Sequence, residues 1–398
     1  MHDAVIDTDI AIVGGGIAGL WLLNHLSSCG YHSILLERSE LGSEQTIASQ
    51  GMIHGGIKYA LGGGLTAASE AIADMPARWN DALDGKGHVN LSKSRVLSDH
   101  FYMWSSGKLG SRLSTMVAGK ALRGRVDSVQ RPDYPAVFAD PGFQGKLLKL
   151  VDIVVDVPSI LENLVDNYSG RIFKLDSGAP ILRHSDGGHT TISTPVANIR
   201  AQKILLTAGV GNEALLAELG ASAPKAQRRP LHQVVVKHEY QQPLYAHCMG
   251  RNPSPRLTIS SHTAADGSPV WYLGGDLATE NIDADPEALI AKANKELDQL
   301  FPWLDFGRRQ WATLRIDRAE PKQNRLLKPD KSFAGAVAGT PDVIVCWPTK
   351  LALAPNLATE VDKLLAADDI KPKAQGSLEL LSALGCPEIA QPCWNRLF

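Results

Sequence analysis

Three observations in the sequence predict an α/β fold in which a Rossmann-like nucleotide-binding domain is interrupted by an antiparallel-sheet domain. A short apolar run, Asp9 to Val13, leads into Gly14-x-Gly16-x-x-Gly19 and then into a helical pattern. A second apolar run, Ser33 to Leu36, follows and ends in Glu37. From about residue 230 to 276, several β runs succeed one another with turn-rich stretches between them. The first two make a βαβ unit, whose buried parallel strands read as nearly continuous apolar runs. The third is the signature of strands that pair with their neighbours in sequence.

The remaining elements follow in order. The first helix spans Ile17 to Leu26, with Gly30 as its C-terminal stop. Residues 42–64 are rich in Gly, Ser, Thr and Ile and read as irregular backbone beside a ligand. Residues 66–84 have a helical pattern, and Pro132, Pro135 and Pro141 break any long helix in 85–150. Pro158 to Asn167 is a helix with proline near its start. Lys203 to Thr207 is a strand running into Ala208-Gly209. The sheet-rich stretch supplies Gln233 to Lys237, Leu257 to Ser261 and Val270 to Leu273. Asp285-Pro286 caps a helix that continues to about Leu300. Val343 to Cys346 is a last strand, and Leu351 to Leu365 a last helix with Pro355 in its first turn. The nucleotide domain is thus expected over 1–84, 150–225 and 315–370. The inserted domain is expected over 85–149 and 226–314, with 371–398 as a C-terminal tail.

Composition bounds the function. The chain has 398 residues, enough for two domains. Apolar residues make up 44% and charged residues 21%, with a formal charge of −2, so neither nucleic acid nor an anionic membrane surface is an expected partner. No apolar run is long enough for a membrane span, and the first nine residues lack a basic n-region. A cytoplasmic location is the expectation. The five cysteines, Cys29, Cys248, Cys346, Cys386 and Cys393, are scattered and odd in number, which argues against a disulfide framework or a structural metal.

Each glycine of the elbow has a physical task. Gly14 permits the tight turn, Gly16 lets backbone approach a pyrophosphate, and Gly19 lets helix and strand pack closely. Ile17 and Ala18 open a helix whose free N–H groups and partial positive charge favour phosphate. Glu37 stands 18 residues past the third glycine, placed to accept hydrogen bonds from ribose hydroxyls and to repel a 2′-phosphate, with Arg38 beside it. These features predict a dinucleotide without choosing between FAD and NAD.

Three further segments, Ser49 to Tyr59, Ile204 to Gly209 with Asn212, and Val345 to Pro355, resemble the D-amino-acid-oxidase-like superfamily of FAD-dependent oxidoreductases, nearest to its glycerol-3-phosphate and L-2-hydroxyglutarate dehydrogenase branches. Ser49-Gln50-Gly51-Met52-Ile53-His54-Gly55-Gly56-Ile57-Lys58-Tyr59 is similar to the flavin-contacting segment. Ile204-Leu205-Leu206-Thr207-Ala208-Gly209, with Asn212 after it, looks like the return of a strand to the cofactor. Val345-Cys346-Trp347-Pro348-Thr349-Lys350-Leu351-Ala352-Leu353-Ala354-Pro355 resembles the loop and helix that approach the flavin ring. The resemblance implies FAD as cofactor and a glutathione-reductase-type FAD/NAD(P)-binding fold. It assigns cofactor contacts to Ser49, Gln50, Gly51, Ala208, Gly209, Pro348, Thr349, Lys350 and Leu351, beside the elbow residues. The chain departs from the superfamily at Pro348-Thr349-Lys350, where a Gly-rich loop is usual, and at Leu314-Arg315-Ile316-Asp317-Arg318, where a Gly-Arg-x-Pro segment is usual.

A flavin that oxidises a C–H bond gathers negative charge at one end of its ring, and Lys350 with the start of the last helix can oppose it. His54, followed by Gly55 and Gly56, which allow close backbone approach, and near the ring by resemblance, is a candidate proton acceptor. Arg315 is the first candidate for clamping a substrate carboxylate and Arg318 the second, because a guanidinium fork matches both oxygens. Tyr59 and Tyr272 are candidate wall residues, and His232 and Gln233 weaker ones, since strand alternation sends about half of such side chains to the core. Arg228 and Arg229 are phosphate candidates should the substrate be a polyol phosphate. The expectation is hydride transfer to flavin N5 from a CH–OH or CH–NH carbon of a small 2-hydroxy acid or amino acid, with oxygen or a quinone as acceptor. A glycerol-3-phosphate-like substrate is the alternative. Flavin monooxygenase and non-catalytic flavin binding are competing classes; Gly274-Gly275-Asp276 lacks the hydroxylase continuation and reads as a turn.

Overall fold

The computed structural model describes residues 4–56, 72–105, 126–175, 181–184, 188–250, 252, 254–322, 331–374 and 376–398. Lys58, Tyr59, Gly62 to Gly64 and the first part of the expected 66–84 helix lie outside them; the rest of that helix is Met75–Leu83.

Apolar parallel strands build the first sheet. Val5–Val13 is central, flanked in parallel by Ser33–Glu37 and by Asn198–Leu206. Thr340–Trp347 adds in parallel to Asn198–Leu206, and Ile172–Lys174 to Ser33–Glu37. The helix Ile17–Ser28 packs on one face with Val157–Asn167 and Ala354–Ala367, burying Leu20, Leu23, Leu26, Leu161, Leu357 and Val361. Gly30, at φ +91°, ends the first helix in the left-handed conformation that glycine adopts without strain. Asp156 caps Val157–Asn167 by accepting from the Ser159 amide, with Pro158 in the first turn. The helix expected over Leu351 to Leu365 differs slightly. A 3₁₀ turn, Leu351–Leu353, comes first, and the α-helix proper starts at Ala354, where Pro355 needs no intrahelical donor.

The second sheet has the order Gln310–Pro321, Ala226–Lys237, Pro269–Gly274, Pro255–Thr263, Ala246–Met249, Phe101–Ser105, Lys146–Leu150, Val126–Ser128. Its neighbours are antiparallel, except that Ala246–Met249 and Phe101–Ser105 run parallel. Helix Pro286–Leu300, capped by Asp285, covers the outer face and buries Leu289, Ala293 and Leu297 against Trp271, Phe301 and Phe306. The inner face looks toward the glycine elbow. Gln310–Pro321 stays in this sheet from end to end, so a boundary at 315 falls inside one strand. Met52–Ile53, Ile153–Val155 and Val96–Ser98 form a separate three-stranded sheet with Ile153–Val155 in the middle.

The last residues are packed rather than trailing. Buried Asp9 accepts the amides of Lys373 and Ala374, Leu41 bridges to Ile389, and Trp394 stacks on buried His262 with ring centres 4.1 Å apart. No helix among the described residues is long and apolar enough to cross a membrane.

Candidate active site

The elbow is backbone brought close to backbone. Gly14 has φ +115°, and a Cβ there would lie 2.6 Å from the Ala208 backbone. A Cβ on Gly19 would lie 1.9 Å from the Gly14 carbonyl oxygen, so this glycine lets the helix seat on the turn. The Thr207 hydroxyl lies 3.0 Å from the Val13 carbonyl and 2.8 Å from that of Gly14. Asn212 accepts the Ala208 amide and donates to the Cys346 carbonyl, and Trp347 Nε1 donates to the Gly209 carbonyl. Three returns of the chain, after Val13, Leu206 and Val345, are thereby tied into one floor.

Above this floor lies a cavity of about 900 Å³. Its wall at one end carries Gly14, Gly16, Ile17, Ala18, Glu37 and Arg38. Ser49, Gln50, Met52 and His54 follow, with Ala208 and Gly209, then Pro348, Thr349, Lys350 and Leu351. The second sheet closes the cavity with Arg229, Leu231, Gln233, Ile316, Arg318 and Glu320. Glu37 accepts the Gly15 amide at 2.5 Å and the Ser39 amide at 2.8 Å, which holds its carboxylate at the mouth of the elbow. Gly19 and Gly51 are not on the wall. Gly51, at φ +70°, is pressed against the Val155 carbonyl, which a Cβ would approach to 2.2 Å, so its role is close packing.

His54 is held firmly. Its Nδ1 lies 3.0 Å from Asp152 Oδ2, and Asp152 Oδ1 accepts the Gly55 amide at 2.8 Å. The ring stacks on His247 with centres 5.7 Å apart. Asp152 was not foreseen. It lies 98 residues from His54, and the available signal is a lone carboxylate in the apolar run Leu147 to Val155.

Of the residues expected to meet substrate, Arg315 and Tyr272 are not on the cavity wall. Arg315 does not face the cavity. On Gln310–Pro321 the side chains of Ile316, Arg318 and Glu320 point inward, so by strand alternation those of Arg315 and Asp317 point the other way. The Arg315 guanidinium donates to the carbonyls of Ile282 and Ala284, both at 2.9 Å. Its cross-strand partner His232 shares that outward face, where burial lowers the imidazole pKa. Tyr272 is not a wall residue either. It is wholly buried, with its hydroxyl 2.9 Å from the Ala48 carbonyl and 2.7 Å from Gln233 Oε1, and burial raises its pKa. It supports the wall from behind.

Arg318 does face inward, paired across the sheet with Arg229. Arg229 is already engaged: Glu320, 4% exposed, lies 2.7 Å from it and accepts from Gln227 as well.

The site residues suit a flavin dinucleotide. The first turn of the elbow helix holds no acidic residue to oppose phosphate. Ser49 Oγ is buried on the wall without a hydrogen-bond partner among the described residues, and a bound group supplies one. A model of the FAD dependent oxidoreductase family, DAO, matches residues 9–346 of this chain. The chain belongs to the DAO family of FAD-dependent oxidoreductases. It is similar to the probable FAD-dependent oxidoreductase PA4991 of Pseudomonas aeruginosa, 46% identical over 394 residues that span 99% of both chains. The crystal structure of PA4991 superposes with a TM-score of 0.85, at 42% identity over 100% of this chain and 99% of that one. More distant DAO-fold structures follow. Glycine oxidase from Geobacillus kaustophilus has a TM-score of 0.65 at 15% identity, covering 94% of this chain and 97% of its own. L-α-glycerophosphate oxidase from Mycoplasma pneumoniae, solved with FAD bound, has 0.65 at 14%, covering 97% and 99%. The DAO-family chain is an enzyme, and its cofactor is FAD.

Proposed function

We propose that this DAO-family enzyme oxidises the CH–OH or CH–NH group of a small monocarboxylate, a 2-hydroxy acid or an amino acid. In this reading the elbow residues Gly14, Gly16, Ile17 and Ala18 hold the pyrophosphate of FAD. Glu37 would hold the adenosine ribose, with Arg38 beside it on the same wall. Ser49, Gln50, Ala208, Gly209 and Pro348 to Leu351 surround the rest of the cofactor. Bound FAD supplies a hydride acceptor at N5. Lys350, just before the 3₁₀ turn Leu351–Leu353 that leads into helix Ala354–Ala367, would set a positive charge on the cavity wall beside the flavin. His54 takes the proton released by the substrate's hydroxyl or ammonium. Arg318 clamps the carboxylate with its two-pronged donor face, and Leu231 and Ile316 exclude water around the carbon skeleton.

The observation that carries the substrate class is the charge of the inward-facing wall. Arg229, Arg318 and Glu320 together leave one positive charge, because Glu320 neutralises Arg229. One net cation matches a monoanion and leaves a phosphate dianion under-compensated. A polyol phosphate is the second reading, supported by Lys350 on the same cavity as the two arginines. Anaerobic mixing of the yellow holoenzyme with small 2-hydroxy acids, amino acids and glycerol 3-phosphate tests this. Bleaching of the flavin by monocarboxylates alone supports the first reading, and bleaching only by the phosphate replaces it with the second. Reoxidation by oxygen or by a quinone analogue identifies the acceptor.

A further inference from the structure

Asp152 sits in the turn between Lys146–Leu150 and Ile153–Val155 and is 3% exposed. A carboxylate in such an apolar run is costly unless its oxygens are bonded. Both are: Oδ2 lies 3.0 Å from His54 Nδ1, and Oδ1 accepts the Gly55 N–H at 2.8 Å. Backbone pairing fixes the arrangement, because Ile53 is in register with Ile153 and Met52 with Val154. One face of the His54 ring rests on His247, whose Nδ1 is 2.9 Å from Thr258 Oγ1. The imidazole is therefore held by groups from separate parts of the chain.

An ionised carboxylate only accepts hydrogen bonds. A contact at 3.0 Å then requires the hydrogen on His54 Nδ1, and in the neutral ring Nε2 keeps the lone pair. We propose that Asp152 is a positioning residue that holds His54 in the Nδ1–H tautomer, so that Nε2 is the nitrogen that receives the substrate's proton. The functional half of this statement rests on the reading of His54 given above; the tautomer does not.

The same geometry separates aspartate from its amide. The Gly55 N–H can only donate, so it claims the single acceptor oxygen of an asparagine at 152. The NH₂ group then faces His54 Nδ1 and drives the ring hydrogen to Nε2. Asp152→Asn thus preserves shape while reversing the tautomer.

The experiment uses holoenzyme with its FAD, labelled with ¹⁵N-histidine, at a pH where the ring is neutral. Long-range ¹H–¹⁵N spectra, assigned against His54→Gln, report which nitrogen carries the hydrogen. The expected result is an unprotonated Nε2 in the wild type and a protonated Nε2 in Asp152→Asn. The variant should retain FAD and bleach about 100-fold more slowly or worse with whichever panel compound reduces the wild type. A protonated Nε2 in the neutral wild-type ring overturns the proposal, and this needs no variant to fold. An unchanged tautomer in Asp152→Asn, or wild-type bleaching by it, overturns it too. If no panel compound bleaches the wild type, the substrate reading fails, while the spectrum still decides the tautomer.

Discussion

The glycine elbow offers the cavity backbone, and the paired strands Ala226–Lys237 and Gln310–Pro321 offer it side chains. At the elbow, Gly14, Gly16 and Gly19 act by what they lack, since a Cβ on Gly14 or Gly19 would strike neighbouring backbone. On the strands, Arg229, Arg318 and Glu320 act by what they carry and by the face they occupy. The two regions therefore fail differently. Damage to the elbow should remove the cofactor, whereas damage to the strand pair should leave a yellow protein with altered kinetics.

The largest expected effect follows from Gly19→Val. Its branched side chain would need the space of the Gly14 carbonyl, 1.9 Å from the Cβ alone, so the protein should purify without flavin or not fold. The ratio of absorbance near 450 nm to that of the protein checks this, and a fully yellow variant would break the contrast. Next is His54→Ala, which should keep FAD but slow anaerobic bleaching by about 100- to 10,000-fold, the range of a general base. Arg318→Ala comes third. Loss of a charged hydrogen-bonded clamp, worth about 1.5–3 kcal/mol, should raise KM by about 10- to 100-fold with FAD content unchanged. Steady-state kinetics with the best panel substrate measure it.

A smaller effect concerns pH and lies wholly in the second sheet. Burial pushes His238 and His262 down to about 4 from the ordinary 6.5. The unfolded chain then takes up protons first as pH falls, so the folded state loses stability from about 6.5 down to about 4. Above 6.5 both rings are neutral in either state and the contribution is level. Thermal midpoints across this range should fall with pH, and His262→Gln should flatten the slope; an unchanged slope in that variant would remove His262 from the account. The smallest expected effect is that of Arg315→Ala, which should leave KM within about twofold, because its guanidinium bonds only carbonyls on the outer face. A KM change as large as that of Arg318→Ala would erase the distinction between the two faces of the strand.

Asp285 and Pro286 show how far local chemistry reaches. A cap that accepts the next amides and a proline that needs no donor start their helix wherever the chain goes. The elbow was legible for the same reason: strand, turn, helix and Glu37 lie within forty residues, and their geometry is dictated by neighbours in sequence. The segments that resemble the DAO family carried the cofactor choice in the same local way. Arg315 and Arg318 were not separable, although they lie on one strand. Which of them faces the cavity depends on register against Ala226–Lys237, where a shift of one residue exchanges the faces. Asp152 could not be assigned to His54 either, because only the pairing of Met52–Ile53 with Ile153–Val155 brings them together. The sequence by itself therefore determined the nucleotide elbow, the family and the flavin, all written in short-range backbone geometry. The tertiary structure decided which charges line the cavity and what steadies His54, because those depend on the facing of strands far apart in the chain.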